Sequence, residues 1–112
     1  MKKNTNLIIT IIVILAIVVL ALLILNKPSS EVTKEFAQCL GNNSILYVQL
    51  GCHACKIQED MFGDTYQYLT TIDCFYERDK CSGIEFTPTW VIKEESYTGI
   101  QSIEKLKELT GC

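Results

Sequence analysis

The chain has 112 residues, six cysteines, one histidine and a formal net charge of −3. That leaves room for one small domain and excludes a large barrel, a two-domain dehydrogenase or a repeat array. From Lys27 onward 13 acidic residues outnumber 8 basic ones and no basic patch occurs, which argues against a nucleic-acid partner.

The mean hydropathy is +0.20, high for a soluble chain this small, and one segment accounts for it. From Leu7 to Leu25, 18 of 19 residues are apolar, with Thr10 the exception. As a helix this run reaches about 28 Å, enough for the hydrocarbon core of a bilayer. It has no polar stripe, which a buried soluble helix would carry. No small-x-small cleavage site follows it, and the first cysteine is Cys39, so neither a cleaved signal peptide nor a lipoprotein site fits. Residues 7–25 are therefore expected to be a retained transmembrane helix. Residues 1–6, with Lys2 and Lys3, are expected on the cytoplasmic side, and the C-terminal domain outside it. Disulfides persist there, and all six cysteines lie beyond the anchor.

The remaining 86 residues contain 35 apolar ones, an ordinary globular composition. Residues 26–30 read as a linker, with Pro28, Ser29 and Ser30, ahead of a domain over 31–112. A helix is expected over Glu31 to Leu40, ended by Gly41-Asn42-Asn43. Ser44 to Leu50 is almost continuously apolar, as suits a central strand buried on both faces. Gly51 breaks it. A helix is expected from near Cys52 to Phe62, with Gly63 at its end. A second strand follows over Leu69 to Phe75, then a short helix or turn near Asp79 to Ser82. Thr89 to Lys93 and Ser96 to Thr98 read as strands joined around Glu94-Glu95. Ser102 caps a last helix bearing Ile103, Leu106 and Leu109, and Gly111 ends it. The fold class is α/β, with a central mixed sheet flanked by helices.

Cys52-His53-Ala54-Cys55 falls just after the central strand, at the first turn of a helix. Unpaired N–H groups and the helix dipole favour a thiolate at Cys52, making it nucleophilic near neutral pH. Cys55 stands three residues on, on the same face, and can close a short disulfide with it. His53 and Lys56 are expected to add positive charge and make that disulfide more oxidising. A zinc site is the competing reading: positions 52, 55, 74 and 81 give Cys-x2-Cys, eighteen residues, then Cys-x6-Cys. Zinc ribbons prefer a second close pair, and an oxidising compartment disfavours thiolate ligands. Haem attachment is excluded, because Lys56 stands where that motif needs histidine. No metal and no bound cofactor are expected, since a dithiol carries two electrons by itself.

Phe86-Thr87-Pro88-Thr89-Trp90 places a proline just before a strand, and X-Pro is the usual place for a cis bond. A cis Pro88 would turn the Thr87 backbone toward the dithiol, where it can pair with an extended substrate peptide.

Strand, Cys-x-x-Cys, helix, strand, then Gly83-Ile84-Glu85-Phe86-Thr87-Pro88-Thr89, in that order, resembles a thioredoxin fold. Phe36-Ala37-Gln38-Cys39-Leu40, the stretch Cys52 to Gly63 ending in Met61-Phe62-Gly63, and the terminal Leu109-Thr110-Gly111-Cys112 resemble more closely one variant of it. This is the thioredoxin-like domain fused to bacterial and plant homologues of vitamin K epoxide reductase. The resemblance covers about Glu31 to Cys112. It implies a thiol–disulfide oxidoreductase that passes oxidising equivalents from a membrane disulfide oxidase to exported proteins, with Cys52 and Cys55 catalytic and Thr87 and Pro88 binding substrate. The oxidase portion is missing here, so the resemblance implies a separate membrane partner. Gly51 departs from the aromatic residue usual before the first cysteine, His53-Ala54 is an uncommon dipeptide, and the strand over 44–50 lacks the buried acid of thioredoxins.

Cys39, Cys74, Cys81 and Cys112 allow three pairings. Cys74 and Cys81 can close a small loop, and Cys39 and Cys112 can tie the two ends of the domain. The resemblance implies this pairing as structural disulfides; a relay through one outer pair is the functional alternative. Two rival functions use the same motif: a disulfide reductase or isomerase, and a redox-inert binding module. Trp90 and the tyrosines at 47, 66, 68, 76 and 97 read as core or rim. Glu59 and Asp60 read as a solvated helix face, with Glu59 a candidate proton acceptor.

Overall fold

The computed structural model describes residues 2–26 and 32–112 and divides the chain into two compact units, Met1–Ser30 and Glu31–Cys112. Lys27 to Ser30 of the expected linker, and Glu31 of the expected first domain helix, lie outside the described residues.

The first unit holds one helix, α1, Lys2–Leu25, exposed along its whole length. The expected span of 7–25 lies inside it. Its only polar interruption is satisfied within the helix, where the Thr10 hydroxyl donates to the Asn6 carbonyl at 2.8 Å. This helix is long and apolar enough to cross a membrane, with a mean hydropathy of 3.7 over its most apolar 18 residues.

The second unit is a mixed α/β fold. Helix α2 (Lys34–Asn43) starts later than expected, because the Thr33 hydroxyl caps it by accepting the Phe36 N–H at 3.2 Å. It also runs past Gly41. That glycine is required by a close approach: a Cβ there would overlap the Tyr68 carbonyl oxygen. Asn43 then ends the helix from inside, donating its side-chain amide to the Cys39 carbonyl at 2.7 Å.

Strand β1 (Ser44–Val48) is central, as its apolar run requires. It pairs in parallel with β2 (Thr71–Asp73) and antiparallel with β3 (Thr89–Ile92), and β3 pairs antiparallel with β4 (Glu95–Thr98), giving the order β2-β1-β3-β4. Strand β2 is shorter than the expected 69–75. Leu69 still belongs to the close of a 3₁₀ turn over Gly63–Tyr68, and the backbone reverses after Asp73, whose carbonyl accepts from Tyr76 and Glu77. The β3–β4 turn sits at Lys93-Glu94, one residue earlier than expected. Both adopt positive φ, 52° and 67°, the geometry of a two-residue hairpin turn that matches strand twist. Neither is the glycine or asparagine that normally signals it.

Helix α3 (His53–Asp60) is shorter than expected. Gly63, with φ of 54°, does not end it; it opens the 3₁₀ turn, a feature the sequence reading did not contain. A second 3₁₀ turn covers Arg78–Cys81, close to the expected short helix. Helix α4 (Ile103–Thr110) is capped by Ser102, whose hydroxyl accepts the Lys105 N–H at 3.1 Å, and closed by Gly111 with φ of 74°.

The core forms where α2 and α4 meet the sheet: Leu40, Leu46, Trp90, Ile92 and Leu106 are fully buried, with Phe36, Ala37, Phe62, Leu69 and Ile103 around them. The Phe62 and Trp90 rings lie 6.0 Å apart, within aromatic contact range. Trp90 is thus core; Tyr76 stands in solvent, and the other four tyrosines are partly buried.

Candidate active site at the end of the central strand

Beyond Val48 the chain must turn sharply into α3, and Gly51 makes the turn with φ of 84°. A side chain there would be strained. The Cys52 N–H donates to the Gln49 carbonyl at 3.0 Å and fixes the turn. Cys52 is then the N-cap of α3: its backbone is extended, and its sulfur accepts the Cys55 N–H at 3.1 Å. A backbone donor is thus aimed at Cys52 Sγ, where it would stabilise a thiolate once the pair is reduced.

Cys52 and Cys55 are joined by a disulfide, with Cα atoms 5.2 Å apart. The two sulfurs are unequal. Cys55 is 7% exposed, whereas Cys52 is only half-buried, so an incoming thiolate meets Cys52 first. The Thr87–Pro88 peptide bond is cis. It sets the Thr87 carbonyl 3.5 Å from Cys52 Sγ. Pro88 is buried, and its carbonyl accepts the Gly99 N–H at 2.8 Å, tying this loop to the end of β4.

The neighbouring charges differ from the expectation. Lys56 Nζ lies 3.0 Å from Asp60 and 3.9 Å from Glu59. The Asp60 hydrogen bond, then the charges of Asp60 and Glu59, raise the lysine's pKa above its ordinary value. Its charge is therefore partly answered by carboxylates on its own helix. Helical spacing puts Glu59 and Asp60, at i+3 and i+4, within reach of it, and Lys56 also lines the cavity beside Cys52. His53 is exposed at the first helical position and Ala54 is half-buried beside it.

A cavity of about 270 Å³ opens beside the disulfide, lined among others by Cys52, Cys55, Glu59, Tyr66 and Asp73. Burial, then the charges of Glu59 and Asp73, push the Tyr66 phenol above its ordinary pKa, so it stays neutral. Asp73 and Tyr66 were missed in the sequence. Asp73 reaches the site only through the parallel register that sets it beside Val48. Its carboxylate accepts the Leu50 N–H at 3.2 Å and the Phe75 N–H at 2.9 Å, pinning the turn that delivers Cys52. Gln58 was also missed. It is fully buried behind the dithiol, accepting from Trp90 Nε1 at 3.0 Å and from the Gln101 N–H at 2.8 Å, and donating to the Gln101 carbonyl at 3.1 Å.

The remaining cysteines pair as Cys39–Cys112 and Cys74–Cys81, with Cα separations of 6.0 and 5.7 Å. The four sulfurs of the zinc spacing are therefore divided between two disulfides. Among the described residues, no group of three or more His, Cys, Asp or Glu side chains is placed to hold a metal. No protein-family model matches the chain.

Proposed function

We propose that this chain is a membrane-anchored, thioredoxin-like thiol–disulfide oxidoreductase whose domain faces away from the cytoplasm. The observation that carries this reading is the Cys52–Cys55 disulfide at the start of α3, one sulfur accessible and one buried, with the Thr87 carbonyl 3.5 Å from the accessible one. The β2-β1-β3-β4 sheet and the Thr87–Pro88 peptide support the thioredoxin-like assignment. The apolar run of α1, which follows Lys2 and Lys3 and no acid, supports a single-pass anchor with a cytoplasmic N-terminus.

A substrate thiolate attacks Cys52 Sγ and forms a mixed disulfide. The Cys52–Cys55 bond breaks, and Cys55 leaves with the electron pair and takes up a proton. A second substrate thiolate attacks the substrate's own sulfur, expels Cys52 and completes the substrate disulfide. The two electrons now rest on the Cys52/Cys55 dithiol. They pass by the same exchange to a disulfide of a membrane oxidase resembling vitamin K epoxide reductase, which restores the disulfide. No bound cofactor takes part. Thr87 and Pro88 hold the substrate backbone, with the Thr87 carbonyl accepting a peptide N–H.

Replacing Cys55 by serine removes the thiol that can attack Cys52 in a mixed disulfide and resolve it. In cells the Cys55→Ser chain should accumulate mixed disulfides through Cys52 to exported proteins and to the membrane oxidase; absence of any such adduct overturns the reading. The direction is tested by the reduction potential of the pair, since a value near about −270 mV or below describes a reductant.

A further inference from the structure

Among the described residues of the Glu31–Cys112 unit, six large apolar side chains stand exposed: Leu50, Ile57, Phe75, Tyr76, Phe86 and Ile100. Five occupy one edge of the sheet. Strands β1, β2 and β4 end at that edge and β3 begins there. Leu50 follows β1, Phe75 and Tyr76 follow β2, Phe86 precedes β3, and Ile100 follows β4. Cys52 lies on the same edge. The opposite edge, with Gly41–Asn43, Thr70 and Lys93–Glu94, exposes no large apolar side chain. Apolar surface gathered on one edge of a small domain marks an interaction site.

Phe75 and Tyr76 form its most elaborated part. They are 46% and 70% exposed, yet they are held in place. Their rings meet edge to face with centroids 5.0 Å apart. The Cys74–Cys81 disulfide closes the loop that bears them, and the Lys80–Glu77 ion pair braces it. Asp73 couples this loop to the active-site turn, because one carboxylate oxygen accepts both the Phe75 and the Leu50 N–H. The aromatic pair is therefore positioned relative to Cys52 by two hydrogen bonds from a single side chain. Rigid, exposed aromatics supply contact area at low conformational cost.

We propose that Phe75 and Tyr76, together with Leu50 at the Cys52 cavity, determine which thiols react. They bind a bulky apolar side chain flanking the cysteine of an extended, unfolded substrate segment. This rests on the oxidoreductase reading. The occupant is a cysteine-bearing segment because Leu50 lines the same cavity as Cys52 and is tied through Asp73 to the loop that bears the aromatic pair. It is a segment without acidic flanks because that cavity already holds Glu59 and Asp73, while Lys56 and Lys80 are paired with Asp60 and Glu77.

The test uses the full oxidised chain in detergent micelles and three reduced thiols. One is a peptide with leucine and phenylalanine beside its cysteine, the second is the same peptide with serines there, and the third is glutathione. The apolar peptide should react about tenfold faster than the serine peptide. In the Phe75→Ser/Tyr76→Ser chain that ratio should fall toward one, with the glutathione rate unchanged. A ratio near one in the unmodified chain overturns the proposal, as does a ratio that survives the double substitution. If none of the three thiols opens the Cys52–Cys55 disulfide, the oxidoreductase reading itself falls, and the substrate proposal with it.

Discussion

Replacing Gln58 by leucine keeps the volume and helix propensity of the side chain and removes only its polarity. Four groups lose their bonds: Trp90 Nε1–H, the Gln101 N–H, the Gln101 carbonyl and the Met61 sulfur. Trp90 is fully buried, so its donor has no route to water, and an orphaned buried donor costs about 1–3 kcal/mol. Gln101 is half-exposed, and its two groups can recover part of their loss from solvent. The expected cost is about 2–4 kcal/mol, a large share of a small domain's stability. Urea unfolding of the full oxidised chain in micelles reads it directly, because Trp90 is the only tryptophan. With a slope near 1 kcal/mol/M, the midpoint should fall by about 2 M or more. Gln67→Leu is the control. Gln67 is exposed and bonds only to the Asp64 carbonyl, so its loss should stay within about 0.5 kcal/mol. A Gln58→Leu midpoint no lower than the Gln67→Leu midpoint would refute the claim that this buried amide binds α3 to β3 and to the approach of α4.

The two outer disulfides should differ in worth by loop length. Removing Cys39–Cys112, across 73 residues, should cost about 4 kcal/mol, and removing Cys74–Cys81, across 7, about 2.5, measured as paired alanine variants in the same urea assay; equal losses would contradict the chain-entropy account. Gly41→Ala should destabilise by about 1–3 kcal/mol although alanine is the better helix former, because the new Cβ meets the Tyr68 carbonyl; a stabilised variant would show that the backbone yields there. Lys56 should titrate above its ordinary value, so any stabilisation it contributes is complete below about pH 10.5 and is lost as pH rises through the elevated folded value. Asp60→Asn should bring the Lys56 side-chain NMR titration back toward the ordinary value. Lys56→Gln should leave the pH profile of Cys52 alkylation in the reduced chain within about 0.3 units, since neighbouring carboxylates already answer part of the lysine's charge.

Most of the fold was legible because its determinants are local. The long apolar run of α1, the β-branched and aromatic run of β1, and the Ser102 and Gly111 caps of α4 each act within a few residues. The errors fall where a distant contact decides. Gly41 looked like a helix stop, and only the Tyr68 carbonyl packed against it explains why glycine is needed inside α2. Lys93 and Glu94 carry no turn signature, so the strand register on either side, Ile92 opposite Glu95, dictates their positive φ. The 3₁₀ turn over Gly63–Tyr68 has no periodic pattern to announce it, since its residues serve to bring Leu69 back into the core beside the buried residues of α2.

The candidate site divides in the same way. Cys52, Cys55, Thr87 and Pro88 could be singled out because residue type and order carry their chemistry. The electrostatics around them were less legible. Lys56 pairs with Glu59 and Asp60 at i+3 and i+4, so part of its charge is answered on its own helix. The remaining support for a Cys52 thiolate is then the Cys55 N–H and the start of α3, and these are backbone features that side-chain substitution does not remove. The acidic side of the site was equally hidden. Asp73 is separated from Cys52 by 21 positions and arrives through parallel pairing of β1 with β2, and Tyr66 arrives through the unforeseen 3₁₀ turn. The cavity beside Cys52 thus carries two carboxylates, Glu59 and Asp73, and one ammonium, Lys56, and only Glu59 and Lys56 come from the helix that bears the dithiol, with Glu59 one turn beyond Cys55 on the same face.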